Sequence, residues 1–328
     1  MKIAVFSACE YDKEFLNRFN TGHDLTYYAV SLSEDTANLA AGFEGICIFV
    51  NDQANATVLN ILHKLDIRLI VLRCAGFNNV DVNKANDLGM KVVRVPAYAP
   101  EAVAEHAVAL MMTLNRKTHK AYNRVREGNF SLERLTGFNL YGKKVAVIGT
   151  GLIGRALCRI LIGFGCRISA FDLYPNDELQ TMGVVYGTLE STLEGADVIS
   201  LHCPLTEGTK HLINKKTLQL FKPGAMLINT SRGALIDTKD VIQALKSGQI
   251  GYLGLDVYEQ EGDLFFQNRS EDVIQDELIT RLISFPNVLI TSHQGFFTKE
   301  ALEEISRISF GNIDAFQKGL PLVNEVLI

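Results

Sequence analysis

Ten residues constrain this chain more than any others: Val145–Gly154, read Val-Ala-Val-Ile-Gly-Thr-Gly-Leu-Ile-Gly. Four apolar residues in a row, Val145 to Ile148, predict a strand buried on both faces, and the glycines after it open a helix through Arg155, Ala156 and Leu157. The order is strand, glycine turn, helix. Gly149 suits the tight turn, Gly151 lets the backbone approach a pyrophosphate, and Gly154 lets helix and strand pack closely. The unpaired N–H groups and positive dipole end at the helix start suit an anionic phosphate.

A glycine pattern of this kind is weak evidence alone, so its surroundings decide. Cys166–Phe171 reads as a second strand and ends in Asp172, eighteen positions beyond Gly154. A carboxylate there accepts hydrogen bonds from the ribose hydroxyls of NAD and repels the extra phosphate of NADP. NAD is therefore the expected cofactor.

The 328 residues favour about two domains, and 47% hydrophobic with 21% charged is enough for a sizeable core. A formal net charge of -5, with no segment that clusters Lys and Arg, argues against a nucleic-acid partner. Cys9, Cys47, Cys74, Cys158, Cys166 and Cys203 lie scattered, with no C-x-x-C pair and no metal-ligand spacing. They read as reduced core residues of a cytoplasmic protein that holds no metal. Lys2 followed by Ile3–Ala8 superficially resembles a signal peptide, but the run is short and Glu10 and Asp12 follow, so a first strand explains it better. No uninterrupted apolar run reaches the roughly 18 residues of a membrane span, so no membrane partner is expected.

The first hundred residues alternate strand and helix. Ile3–Ala8, Leu25–Val30, Ile46–Val50, Ile67–Arg73 and Lys91–Val95 are expected strands, with helical pieces such as Ala54–Lys64 between some of them. At Ala99-Pro100-Glu101 a helix begins, with Val103, Ala107, Leu110, Met111 and Leu114 on one stripe. The second unit starts at Tyr141-Gly142-Lys143 and adds strands Val184–Tyr186, Asp197–Leu201, Ala225–Asn229, Gly251–Leu255 and Asn287–Ile290, with helices such as Thr238–Lys246. This alternation predicts a parallel, doubly wound α/β sheet. A last helix, capped by Thr298 and running through Leu302, Ile305, Ile308 and Phe316, has no strand after it, and periodicity does not say where it packs.

Ligands of open α/β sheets bind outside the carboxyl ends of the strands. Three strand ends carry groups capable of chemistry: Thr230-Ser231-Arg232-Gly233, Tyr258-Glu259-Gln260-Glu261 and Ser292-His293-Gln294-Gly295. An arginine, a carboxylate and a histidine thus share one edge.

Gly149–Gly154 with Asp172, Asn229-Thr230-Ser231-Arg232-Gly233, Asp256-Val257-Tyr258-Glu259-Gln260-Glu261 and His293 resemble the NAD-dependent D-2-hydroxyacid dehydrogenases along nearly the whole chain. Arg73–Asp81, Val95-Pro96-Ala97-Tyr98 and Asp263-Leu264-Phe265-Phe266 look most like the D-lactate branch of that family, as does the long segment Asp263–Asp276. The resemblance implies a Rossmann-type coenzyme domain, 99–298, inserted into a discontinuous flavodoxin-like substrate domain, 1–98 plus 299–328. Closure of the two would bring the Arg73–Asp81 loop over the nicotinamide and exclude water. It also implies reversible reduction of pyruvate to D-lactate and a homo-oligomer, dimer or tetramer. Other members act on bulkier 2-oxo acids or sense NADH as corepressors.

By the same resemblance, His293 donates the proton, Glu261 hydrogen-bonds its other ring nitrogen, and Arg232 binds the substrate carboxylate. The backbone N–H groups of Ala75 and Gly76 hold that carboxylate from the other side, with Tyr98 and Phe296 as further substrate contacts. Coenzyme contacts are expected from Gly149, Gly151, Leu152, Ile153, Gly154, Asp172, Cys203, Pro204, Thr209, Thr230, Ser231, Arg232, Asp256 and His293. The choice of Glu261 over Glu259 rests on the family motif; Glu259 is expected to be a solvated loop carboxylate. For His202, a structural role is at least as probable as a coenzyme contact, and Phe49, Phe77 and Phe297 suit a substrate pocket or the core equally.

Overall fold

The apolar runs become the strands of two separate parallel sheets, described for residues 1–327, without the Asp263 side chain, by a computed structural model. Ile328, the last residue of the expected 299–328 segment, lies outside the described residues. The chain divides into two compact units, Met1–Ala99 with Phe297–Ile328, and Pro100–Phe296.

The first unit holds β1 (Lys2–Val5), β2 (Asp24–Tyr27), β3 (Gly45–Ile48), β4 (Leu69–Leu72) and β5 (Lys91–Arg94) in the flavodoxin-like order β2-β1-β3-β4-β5. Every residue of β3 and β4 is buried, as parallel strands covered on both faces require. β1 stops short of the expected Ala8 because Ser7 sits at φ 50°, a left-handed conformation that turns the chain out of the sheet. The helix Lys299–Gln317, whose place periodicity leaves open, covers this sheet. Its Phe310 and Ile313 share one core with Ile3, Val5, Leu69, Val71 and Val93. The Thr298 side chain caps it by accepting from the Ala301 N–H at 3.2 Å.

The second unit holds β6 (Lys144–Ile148), β7 (Arg167–Phe171), β8 (Val185–Tyr186), β9 (Val198–Leu201), β10 (Ala225–Asn229), β11 (Ile250–Leu255) and β12 (Val288–Ile290). Their order, β12-β11-β10-β9-β6-β7-β8, is the Rossmann arrangement with one strand added. From β6 the chain winds outward through β7 and β8, then returns to the other side of β6 at β9. That reversal opens a crevice at the carboxyl ends of β6 and β9. The helix Pro100–Arg116 lies on this sheet, burying Ala104, Ala107, Leu110, Met111 and Leu114 against Val145, Val147, Met226 and Ile228.

The chain passes between units at Ala99/Pro100 and Phe296/Phe297, within two residues of the expected 98/99 and 298/299. Pro100 opens the helix of the second unit, and Phe297 stacks edge-on against Tyr11 of the first, with centroids 4.8 Å apart. Among the described residues no helix is long and apolar enough to cross a membrane.

Candidate active site

The crevice edge begins with the glycine turn. Gly149 has φ +94°, and a Cβ there would lie 2.5 Å from the Cys203 backbone nitrogen. At Gly154 a Cβ would lie 2.0 Å from the Gly149 carbonyl oxygen, so only glycine lets the helix Leu152–Gly163 start this close to β6. Around Gly151, by contrast, there is open space. Leu152 is exposed and Ile153 half-buried in the first helical turn, where backbone N–H groups lack intrahelical partners. Asp172, at the end of β7, accepts from the Thr150 N–H at 2.5 Å and the Thr150 hydroxyl at 3.1 Å, which ties it to the turn.

Across the switch point, β9 leads into Cys203, Pro204 and Thr209. Burial pushes the Cys203 thiol up to about 11, so it stays neutral. The Thr209 hydroxyl donates to the Pro204 carbonyl at 2.6 Å and closes that turn. His202 binds Ser200 Oγ through Nε2 at 2.7 Å, while its Nδ1 is buried without a partner among the described residues and burial lowers the ring to about 4. The Thr230 hydroxyl is likewise buried without a partner among the described residues.

β10 ends at the fully buried Asn229, which shapes the arginine loop by donating to the Arg232 carbonyl at 2.9 Å and accepting from the Ser231 N–H at 3.1 Å. Ser231 Oγ donates to the Cys203 carbonyl at 2.7 Å. Arg232 spends Nη1 on the Ser231 carbonyl at 2.7 Å; its Nε and Nη2 make no hydrogen bond among the described residues. Next to it, a Cβ on Gly233 would lie 2.0 Å from the Tyr258 carbonyl carbon. That close approach brings the arginine loop against the turn that carries the glutamates.

In this turn Glu261 accepts from the Tyr258 N–H at 2.9 Å with one oxygen and pairs with His293 Nδ1 at 2.9 Å with the other. His293 Nε2 makes no hydrogen bond among the described residues. The His293 backbone has φ 50°, a strained conformation for a non-glycine residue. Its N–H donates to the Asp256 carbonyl at 2.7 Å, and the Asp256 carboxylate accepts the N–H groups of Gln294 at 2.9 Å and Gly295 at 2.8 Å. Burial alone would raise the Asp256 carboxyl, but hydrogen bonds from His106, Thr291 and Gly295 and the charge of His106 hold it below its ordinary value.

Three further residues stand at this edge with no site role expected from the sequence. The ring of Phe266 lies 5.9 Å from that of His293, while His106 and Thr291 reach Asp256 from the helix Pro100–Arg116 and from the end of β12. Glu259 departs from expectation. Rather than being solvated, it binds His211 Nε2 at 2.6 Å and accepts from the Thr238 hydroxyl at 3.0 Å. Phe296, the last residue of this unit, is buried.

In the first unit Ala75, Gly76 and Tyr98 are half-buried at the carboxyl edge of the five-stranded sheet. Arg94 Nη1 donates to the Ala75 carbonyl at 2.8 Å and the Cys74 thiol to the Gly76 carbonyl at 3.2 Å. The N–H groups of Ala75 and Gly76 make no backbone hydrogen bond among the described residues. Phe49 and Phe77 lie under the guanidinium groups of Arg73 and Arg94, each 5.1 Å away.

A cavity of about 490 Å³ lies elsewhere, at the amino edge of the seven-stranded sheet between Lys144, Arg167, Tyr186 and Lys222. Its lysines are already engaged, Lys222 with Asp197 at 2.6 Å and Lys144 with the carbonyls of Ser191 and Glu194.

Residues 108–295 match the family described as "D-isomer specific 2-hydroxyacid dehydrogenase, NAD binding domain". The chain belongs to the D-isomer specific 2-hydroxyacid dehydrogenases. The dehydrogenase is 53% identical over 329 residues to the D-lactate dehydrogenase of Escherichia coli K12, covering 100% of both chains. Its fold is similar to the pyruvate reductase of Chlamydomonas reinhardtii, with a TM-score of 0.93, 44% identity and coverage of 99% and 98%. It is also similar to the D-lactate dehydrogenase of Lactobacillus jensenii solved with NAD+, with a TM-score of 0.82, 32% identity and 100% of both chains covered. The enzyme uses NAD, and its residues fit that coenzyme. Open space over Gly151 at a helix start suits the pyrophosphate, and the Asp172 carboxylate suits a diol rather than a phosphate.

Proposed function

We propose that this enzyme reduces pyruvate to D-lactate with NADH, with His293 as acid and base. The observation that carries the reading is the His293 ring, held by Glu261 through Nδ1 at 2.9 Å while Nε2 stays uncommitted, on the same sheet edge as Arg232. Because Glu261 accepts from Nδ1–H, the transferable proton sits on Nε2. NADH supplies the hydride that becomes the C2–H bond. Electrons of the carbonyl move onto its oxygen, and His293 passes its Nε2 proton to that oxygen; in oxidation the ring takes it back. The planar guanidinium of Arg232 pairs with the substrate carboxylate through two N–H donors and polarises the neighbouring carbonyl. In the same reading the N–H groups of Ala75 and Gly76 are further donors for a substrate carboxylate, Tyr98 and Phe296 are substrate contacts, and the first unit is the substrate domain.

Pyruvate is favoured as substrate by the identity to the E. coli enzyme named above and the likeness to a pyruvate reductase. The same reading makes the enzyme a homo-oligomer, and a cytoplasmic one, in keeping with cysteines that form no disulfide among the described residues.

The test follows NADH oxidation by absorbance with pyruvate, 2-oxoisocaproate and hydroxypyruvate in parallel, with a stereospecific assay of the product. Highest kcat/KM on pyruvate with D-lactate formed supports the reading. Preference for a bulkier acid moves the substrate and keeps the mechanism, and tight NADH binding without turnover replaces the enzyme by a sensor.

A further inference from the structure

His106 stands half-buried on the helix Pro100–Arg116, beside the apolar stripe that packs on the seven-stranded sheet. Its Nε2 lies 3.1 Å from Thr291 Oγ1 and 3.2 Å from Asp256 Oδ1. The Thr291 hydroxyl hydrogen already points to Asp256 Oδ1 at 2.5 Å, so both atoms that face Nε2 are acceptors. Nε2 therefore carries a hydrogen and donates to them.

Asp256 is 1% exposed, so a donor removed from its carboxylate is not replaced by water. That carboxylate and its own carbonyl grip three successive N–H groups, those of His293, Gln294 and Gly295. The grip holds His293 at φ 50°. The imidazole of His106 also packs on the loop itself: a Cβ on Gly295 would lie 2.9 Å from Asp256 Oδ2 and 3.4 Å from His106 Cδ2.

We propose that His106 is a positioning residue for His293, fixing through Asp256 and Thr291 the backbone that aims the acid/base ring. It touches no reacting atom itself, and it couples a helix 150 positions away in sequence from Asp256 to the geometry of proton transfer. The inference rests on the reading of His293 as proton donor.

Three variants test it, with kcat, KM for pyruvate and the NADH dissociation constant measured for each. His106→Leu removes the donor and is expected to lower kcat by about 10- to 100-fold, the effect of a misaligned reacting group, while NADH affinity stays within about twofold. His106→Gln places a side-chain N–H where Nε2 stands and should recover kcat to within about fivefold of the native enzyme. His106→Asn is equally polar but too short to reach, and should lose as much as His106→Leu. A role confined to packing would move NADH affinity and kcat together and would not separate Gln from Asn. Native kcat in His106→Leu, or equal losses in the Gln and Asn variants, overturns the inference; the latter comparison decides even where the Leu variant fails to fold. His293→Ala is run beside them. If it keeps native turnover, the proton-donor reading fails; if it is inactive while His106→Leu is fully active, only the inference about His106 fails.

Discussion

Two histidine–glutamate pairs hang from one turn of the second unit. Glu261 holds His293 at 2.9 Å and Glu259, two residues earlier, holds His211 at 2.6 Å. Both histidines have left-handed backbones, φ 50° and 52°, and both pairs are partly exposed. They differ at the second ring nitrogen. His211 Nδ1 lies 3.7 Å from the Asp237 carboxylate, so the ring sits between two acids, whereas His293 Nε2 has no partner among the described residues. Glu259 is itself tied to Thr238, at the start of the helix Thr238–Ser247, so the His211 pair fastens the turn to the sheet edge. One pair anchors the turn, and the other leaves a ring nitrogen available at the sheet edge, which is where the proposed proton transfer places it. A histidine bound to a carboxylate is thus no signature of catalysis until its other nitrogen is accounted for.

The sharpest break of this comparison is the pair of alanine variants. His293→Ala should lower the rate by roughly 10²–10⁴. His211→Ala should keep kcat within about threefold and lower stability by roughly 1 kcal/mol, measured by urea denaturation. Equal losses of rate in the two would sink the assignment of roles. Gly233→Ala should disturb both glutamates together, because its Cβ would overlap the Tyr258 carbonyl. A stability loss of roughly 1–3 kcal/mol should accompany a clear fall in kcat, and a fully active, equally stable variant would show that the turn adapts.

Glu261→Gln should reduce kcat/KM by about tenfold and Glu259→Gln by no more than about twofold, since only the former changes the group that orients the ring proposed as acid and base. The smallest effect concerns His202, a histidine with no carboxylate. Burial lowers it to about 4, against about 6.5 in the unfolded chain. The unfolded chain therefore takes up the proton first. The stability tied to a neutral His202 is complete above pH 6.5 and is lost as pH falls toward 4. Replacement by Gln should flatten this decline by about 2 kcal/mol between pH 7 and pH 5, read from urea midpoints.

Much of the fold is legible because its signals are local. Apolar runs mark the strands of both sheets, and the glycines of Gly149–Gly154 mark a turn whose steric demands appear as contacts of 2.5 Å and 2.0 Å. The carboxyl-edge positions of Arg232, Glu261 and His293 follow from strand order. Glu259 illustrates the limit, because its partner His211 lies 48 positions away and nothing near Glu259 announces it. The same holds for His106, an ordinary helix residue until β11 and β12 set Asp256 and Thr291 against it.

By itself, then, the sequence determined a doubly wound α/β chain with a dinucleotide turn, an acidic residue at the end of the strand that follows it and three chemical groups at strand ends, since spacing and residue type encode these directly. Only the tertiary structure decided where the helix Lys299–Gln317 packs, that Glu259 holds His211, and which of the two carboxylate-bound histidines keeps a ring nitrogen without a partner among the described residues. These depend on contacts between residues tens to hundreds of positions apart, and periodicity carries no information about partners once an element turns the corner.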